Sequence, residues 1–243
     1  MSNRALFAAI IDNDSDLLVS LLESGLDIEQ RCGTSLFSAT PLQMASRNNG
    51  QLEIMGILLD KGANTEVVDR LGNTILLTAV HENRIDTVKM LLSHDADTTA
   101  TTASDRKTAI HIAVDATCVN HDLIGILIVA GVDVSAADKF GCTALHYAAK
   151  YGDRSLARNL MQHNVNTLAI NVDGFTAAEV ATRARHCQFA TSIDAINANR
   201  AVAYKNRCHA FAQGLYDPKA RGRTFVNTLS EELVLKILHS NRS

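Results

Sequence analysis

A mainly α-helical solenoid of stacked helix–turn–helix units with β-hairpin fingers is the fold this 243-residue sequence predicts, and three observations carry the prediction. Threonines recur at Thr40, Thr74, Thr108, Thr143 and Thr176, separated by 34, 34, 35 and 33 residues, and each opens a similar apolar run. The first four runs each lead to an apolar pair, Leu58-Leu59, Leu91-Leu92, Leu127-Ile128 or Leu160-Met161, at the end of a second helical stretch. A turn signal of the form G-A-N or G-V-D follows at Gly62-Ala63-Asn64 and Gly131-Val132-Asp133. A helix pair this short buries one face only, so it needs neighbours of the same kind; about six units, end caps included, fit the period.

The first unit, Arg4 to Gln30, has R-A-L-F-A-A-I, Leu21-Leu22 and Gly25-Leu26-Asp27 but no finger, which suits an N-terminal cap. The second carries extra residues from Arg31 to Ala39 before T-P-L-Q-M-A, so its finger should be longer, and such insertions often lie on a binding face. The third, T-I-L-L-T-A with Asn73 and Asn83 around it, keeps the regular length. Before the fourth, Thr98 to Ser104 is a small polar run that reads as an exposed finger; a phosphorylation site there has no further support. The fourth unit is enlarged between its helices, around Ala116 to His121: Thr108 to Gly131 is 23 residues where Thr74 to Asp95 is 21.

The fifth unit, Asp138 to Gly152, reads D-K-F-G-C-T-A-L-H-Y-A-A-K-Y-G. Gly141 falls where a tight turn needs positive φ, and Thr143 where a hydroxyl can accept from an orphan N–H of the helix start. Leu145, Ala148 and Ala149 follow at helical spacing, small enough to let the next helix approach. His146 is expected to bridge backbone groups of a neighbouring turn rather than to ligate or catalyse. The sixth unit keeps G-F-T-A-A-E-V-A, and its second helix, near Gln188 to Ala198, is more polar, as in a terminal unit. The repeat domain is thus expected over 1–198, with a basic helical segment over 199–243. In that segment Pro218 and the glycines break Gly214 to Arg223, and a helix over 228–240 starts with the capping-box pair Thr228 and Glu231.

The fifth unit resembles the opening of an ankyrin repeat, D-x-x-G-x-T-P-L-H-x-A-A-x-x-G. The resemblance implies a non-enzymatic module that binds a partner protein through the concave side formed by first helices and finger tips. At the variable positions ending each first helix stand Ile11 and Asp12, Arg47 and Asn48, His81 and Glu82, Asp115 and Ala116, and Lys150 and Tyr151. The tips add Arg70, Leu71, Arg106, Lys107, Lys139, Phe140 and Val172. Phe140 and Tyr151 are the candidate anchors, because large aromatics in the middle of an interface tend to dominate its energy.

Leu229 to Leu238, L-S-E-E-L-V-L-K-I-L, resembles the first helix of an F-box, L-P-x-E-L-x-x-x-I-L, with serine in place of proline. Truncated F-box-like (PRANC-type) ends follow ankyrin repeats in poxviral host-range proteins and in effectors of intracellular bacteria. There the element docks the Skp adaptor of a cullin–RING ubiquitin ligase. The resemblance implies an adaptor surface of Leu229, Glu232, Leu233, Ile237 and Leu238, and a place in the host cytosol. The alternative is an amphipathic helix that covers the apolar end of the last repeat.

Composition narrows the remaining classes. Aromatics are 5% and Trp is absent, which suits a solenoid of Leu, Ile, Val and Ala. No run approaches a membrane span and the N-terminus lacks the apolar core of a secretory signal, so a cytoplasmic monomer is expected. Five cysteines without CxxC spacing argue against a disulfide framework or zinc site. No phosphate-binding loop, nucleophile elbow or metalloprotease helix is present, so neither a cofactor nor a catalytic residue is assigned. His186-Cys187 and Cys208-His209 are adjacent pairs whose side chains diverge on a helix. Asp12, Asp14 and Asp16 lack the glycine and distal glutamate of a calcium loop. Residues 1–182 hold 13 Lys or Arg against 22 Asp or Glu, and residues 183–243 hold 10 against 4. The basic tail, Arg200 to Arg223 with Tyr204, Phe211 and Tyr216 interleaved, raises nucleic-acid binding as a weaker alternative, which the acidic array opposes.

Overall fold

The computed structural model describes residues 3–32, 38–48, 51–115, 119–163, 165–195 and 197–198. The chain up to Ala190 forms one compact unit, and residues from Thr191 belong to a second. The first is a series of helix pairs. They are α1 (Asn3–Ile11) with α2 (Ser15–Glu23), α3 (Pro41–Arg47) with α4 (Leu52–Asp60), and α5 (Ile75–His81) with α6 (Ile85–Ser93). Next come α7 (Ala109–Val114) with α8 (His121–Val129), α9 (Ala144–Tyr151) with α10 (Arg154–Gln162), and then α11 (Ala177–Arg183), after which helix resumes at residue 187. The odd-numbered helices pack each on the next to make one row, and α2, α4 and α6 stack in a second row.

Every recurring threonine became a helix N-cap with extended backbone, and four of the five complete a capping box with the residue three positions on. Each cap contributes about 1 kcal/mol to helices too short to stand alone. The buried wedge between rows is Leu42, Leu76, Ile110 and Leu145, with Ala178 in the last unit. Ala9, Ala45, Ala79, Ala113, Ala148 and Ala181 are buried beside them, where a larger side chain would push neighbouring helices apart. The turn between helices of a pair needs a left-handed residue. Asn13, Asn83, Gly152 and Arg185 supply it, at φ of 55°, 56°, 71° and 65°.

The third, fifth and sixth fingers are tight turns rather than strands. Among the described residues only the antiparallel bridges Cys32–Ala39 and Ile170–Thr176 are formed, the former bracketing the long second finger. The reason is local. Asp69 N–H donates to the Asn73 carbonyl at 2.9 Å, but the return bond goes to the carboxylate: Asn73 N–H donates to Asp69 Oδ1 at 3.0 Å. Asp138 does the same with Cys142, and Asn171 with Phe175. A side chain that captures one of the two backbone donors replaces the ladder pair of a true hairpin. Neighbouring fingers still join edge to edge, through Lys139 N–H to Asp105 O at 2.8 Å and Val172 N–H to Phe140 O at 2.9 Å. Gly141, at φ 70°, is required twice over. A Cβ there would stand 3.1 Å from Asn171 Cα in the next finger.

Candidate interaction face

The first-row helices and the finger tips bring most of the sequence-predicted residues to one side of the array. Arg47 and Asn48 end α3, His81 and Glu82 end α5, and Lys150 stands next to Tyr151 at the end of α9; all are exposed. Ile11 and Asp12 are likewise exposed at the end of α1, while Ala116 lies outside the described residues. Arg70, Leu71, Arg106, Lys139, Phe140 and Val172 are exposed at the tips. Leu71 is 74% exposed, Val172 70%, Phe140 45% and Tyr151 46%, an apolar payload that the core does not use.

Lys107 and Asp115 are half-buried and committed to one another, Nζ to Oδ2 at 2.6 Å. Tyr151 OH donates to the other oxygen, Asp115 Oδ1, at 2.5 Å. The carboxylate therefore ties the fourth finger to α7 and α9. Burial alone would raise the Asp115 carboxyl, but the Lys107 and Tyr151 hydrogen bonds and the Lys107 charge hold it below the usual range. The same bond to Asp115, with some burial, pushes the Tyr151 phenol up to about 12. Glu82 pairs with Arg84 of its own turn, Oε2 to Nε at 2.7 Å.

Sequence reasoning missed the hub beneath this face. Asp138 is buried; Oδ1 accepts from Phe140 and Cys142 N–H and Oδ2 from the Tyr147 hydroxyl at 2.7 Å. Burial and that bond both raise the Tyr147 phenol well above its ordinary value. The signal available was the recurrence of Asp69, Asp138 and Asn171 three residues before a turn glycine. Between the fifth and sixth fingers a groove of about 740 Å³ opens, lined among others by Phe140, Tyr147, Lys150, Phe175 and Arg183. Phe175 and Arg183 were not anticipated; the guanidinium stacks 4.2 Å above the Phe175 ring.

His146 is a structural hydrogen-bonder, as the sequence suggested. His146 Nδ1 accepts from Thr143 N–H at 3.1 Å and Nε2 donates to the Phe175 carbonyl of the next unit at 3.1 Å. His111 repeats this with Thr108 and the Cys142 carbonyl. Burial pulls both imidazoles below their ordinary value. Among the described residues no cluster of His, Cys, Asp and Glu could hold a metal ion, Cys32, Cys142 and Cys187 are free thiols, and no helix is long and apolar enough to cross a membrane. Leu229, Glu232, Leu233, Ile237 and Leu238, and with them the F-box-like helix, lie outside the described residues.

A solenoid of capped helix pairs with turn-like fingers, carrying exposed apolar side chains on its first-row face and no assembled catalytic group among the described residues, is a repeat module of the protein-binding class. The family profile described as ankyrin repeats (3 copies) matches residues 5–102 and 110–193, and the chain belongs to that family. Ankyrin repeats generally mediate protein–protein interaction and are typically non-enzymatic.

The p105 subunit of nuclear factor NF-kappa-B from Gallus gallus is 32% identical over 164 residues, 66% of this chain and 16% of that protein. An ankyrin repeat protein of Rickettsia bellii is 30% identical over 183 residues, 72% of this chain and 24% of that protein. The chain thus spans a quarter or less of these relatives' length. Among solved structures, an ankyrin repeat domain from Acinetobacter baumannii superposes with a TM-score of 0.69 at 24% identity, covering 79% of this chain and 97% of that one. A chain from the complex of a Bdellovibrio bacteriovorus predatory endopeptidase with its immunity protein gives 0.64 at 24%, covering 80% of this chain and 98% of that one. These likenesses establish the fold.

Proposed function

We propose that this chain is a non-enzymatic recognition module that binds a partner protein through the first-row helices and finger tips, with Phe140 and Tyr151 as anchors. The observation that carries the reading is the set of large side chains left in solvent on that face, Leu71, Phe140, Tyr151 and Val172, none of which the fold needs for its core. The positions around them, Arg47, Asn48, Arg70, His81, Glu82, Arg106, Lys139 and Lys150, are exposed and therefore free to set specificity. Family membership supports the class of function, and the partner is specific to the exposed residues.

A photo-crosslinking amino acid placed in turn at Leu71, Phe140, Tyr151 and, as control, Val129 on the second-row helix α8 tests this. Val129 is 88% exposed and so equally accessible. The same partner captured from the first three positions and not from Val129 is the expected result. Equal capture at Val129, or none at the three, would sink the proposal.

A second reading rests on the resemblance of Leu229 to Leu238 to an F-box helix. In it the array selects a target and this helix docks a Skp adaptor. A pull-down with purified adaptor, wild type against Leu233→Asp with matched thermal melts, separates the two roles. Adaptor binding lost at an unchanged melt supports docking, whereas a lowered melt without adaptor binding makes the helix a cap.

A further inference from the structure

The array is acidic as a whole, yet cations gather on its recognition face in the later units. Of the cations in the fourth to sixth units, Arg106 and Lys139 stand at finger tips, Lys150 ends α9 and Arg183 ends α11. None of these four lies within salt-bridge distance of a described carboxylate. Of the acids nearby, Asp115 is paired with Lys107, while Asp138 under the finger and Glu179 on α11 are bonded to uncharged donors and keep their charge; Asp173 is the exposed carboxylate of the groove. Three of the four are set against aromatic rings: Lys139 Nζ, which also donates to the Ser104 carbonyl at 3.3 Å, is 5.9 Å from the Phe140 centroid, Lys150 Nζ is 5.1 Å from Tyr151, and Arg183 lies over Phe175. Two of these cations, Lys150 and Arg183, and three rings, Phe140, Tyr147 and Phe175, line the groove between the fifth and sixth fingers.

Resting on the proposed recognition role, we infer that this groove takes an acidic segment of the partner protein, its carboxylates meeting Lys150, Arg183 and Lys139 and its apolar side chains lying against Phe140 and Phe175. Charge complementarity selects this occupant. Among the residues lining the groove Lys150 and Arg183 outnumber the carboxylate of Asp173, in an array that is acidic elsewhere, so an acidic chain is drawn to the groove rather than to the rest of the surface. The flanking rings hold each ammonium or guanidinium in place at the surface, which lowers the ordering cost of a bond to a carboxylate. The basic tail of this same chain is the wrong sign for the site.

The test uses the full-length chain, isotope-labelled for NMR, titrated with a short peptide of alternating glutamate and leucine. A lysine–leucine peptide and oligothymidine are titrated in parallel. Shifts centred on Phe140, Tyr147, Lys150 and Arg183 with the acidic peptide alone are expected. Binding should weaken about tenfold or more in Lys150→Glu. Lys139→Glu, at an exposed tip away from any helix core, repeats the measurement should Lys150→Glu disturb α9.

Shifts confined to residues after 198 would assign acid binding to the tail and overturn the inference. Equal binding of the lysine peptide, unchanged affinity in both variants, no binding, or tighter binding of oligothymidine at the same residues would each do so too. A partner crosslinked at Tyr151 whose contact segment is neutral or basic overturns the acidic assignment while leaving the recognition role intact.

Discussion

The junction after the third unit and the junction after the fifth are built on one plan and part ways at the third residue of the first helix. In α9 the third residue is His146, which caps its own helix and bonds the Phe175 carbonyl of the next finger. In α5 that place holds Leu77, fully buried and without a polar atom. The third junction is closed by packing alone at this point, the fifth by packing and a directed hydrogen bond. Burial is indifferent to small slips of one unit over the next, whereas a donor aimed at one carbonyl is not, so the histidine junctions add register to what the leucine supplies in cohesion. The second unit shows that the device is not tied to imidazole: Gln43 Oε1 accepts from Thr40 N–H, and Nε2 donates to the Val67 carbonyl of the following unit at 3.2 Å.

Breaking the apolar junction should have the largest effect. Leu77→Ala removes a fully buried side chain and is expected to cost about 2–5 kcal/mol, read as a lowered urea midpoint. His146→Ala comes next, at about 1–3 kcal/mol, because the Thr143 N–H and the Phe175 carbonyl both lose their partner. His146→Gln sharpens the comparison. If Gln43 is a fair guide, the cost falls below about 1 kcal/mol, and a loss as great as that of the alanine variant would refute the equivalence of the two bridges.

The two kinds of junction should also differ toward acid. His111 and His146 sit below their ordinary value of 6.5 in the folded chain because burial disfavours the charged ring, although nearby Asp138 favours it. Unfolded, they bind protons more readily, so their contribution is fully present above about pH 6.5 and is lost as pH falls through their folded values. His94 runs the other way: the Met90 carbonyl and Asp60 raise it, but it is largely solvated and its effect is screened. Denaturation midpoints measured from neutral pH downward should fall in the wild type and stay flatter in the double variant His111→Gln, His146→Gln. The smallest effect is expected at Arg106, which holds φ 54° where the third, fifth and sixth fingers use Gly72, Gly141 and Gly174. Arg106→Gly should stabilise by about 0.5–1 kcal/mol, visible as a slight rise in Tm.

The helical frame was legible because its determinants are local. Thr40 to Thr176, the apolar pairs and the turn glycines each act within a few residues, so spacing alone placed the five threonine caps and the apolar pairs of the second helices, while the caps Asn120 and Asp153 went unread. The fingers were legible in position but not in form. That Asp69, Asp138 and Asn171 would intercept a ladder donor depends on a side-chain rotamer that spacing does not reveal. Apart from the His146 bridge, the bonds between units were out of reach. Glu29 accepts from Asn64 N–H at 2.7 Å, Glu66 from Asp97 N–H at 2.9 Å, and Ser135 Oγ from Asn166 N–H at 3.1 Å. Each joins residues more than thirty positions apart, and their pairing appears only once the stacking register is known. The anchors Phe140 and Tyr151 were found from the repeat frame, while Phe175 and Arg183 escaped because one reads as a finger residue and the other as part of the basic tail.

Fingers joined by Lys139 to Asp105 and by Val172 to Phe140 also bear on how the array answers a pull. Each of these bonds reaches only the adjacent finger. Tension applied along the stacking axis is therefore carried in series, link by link, with no strut spanning the whole. Such a chain yields at its softest link first and takes up length in steps the size of one unit. A tug on a bound partner would then be met by one junction parting and closing again while its neighbours keep their shape.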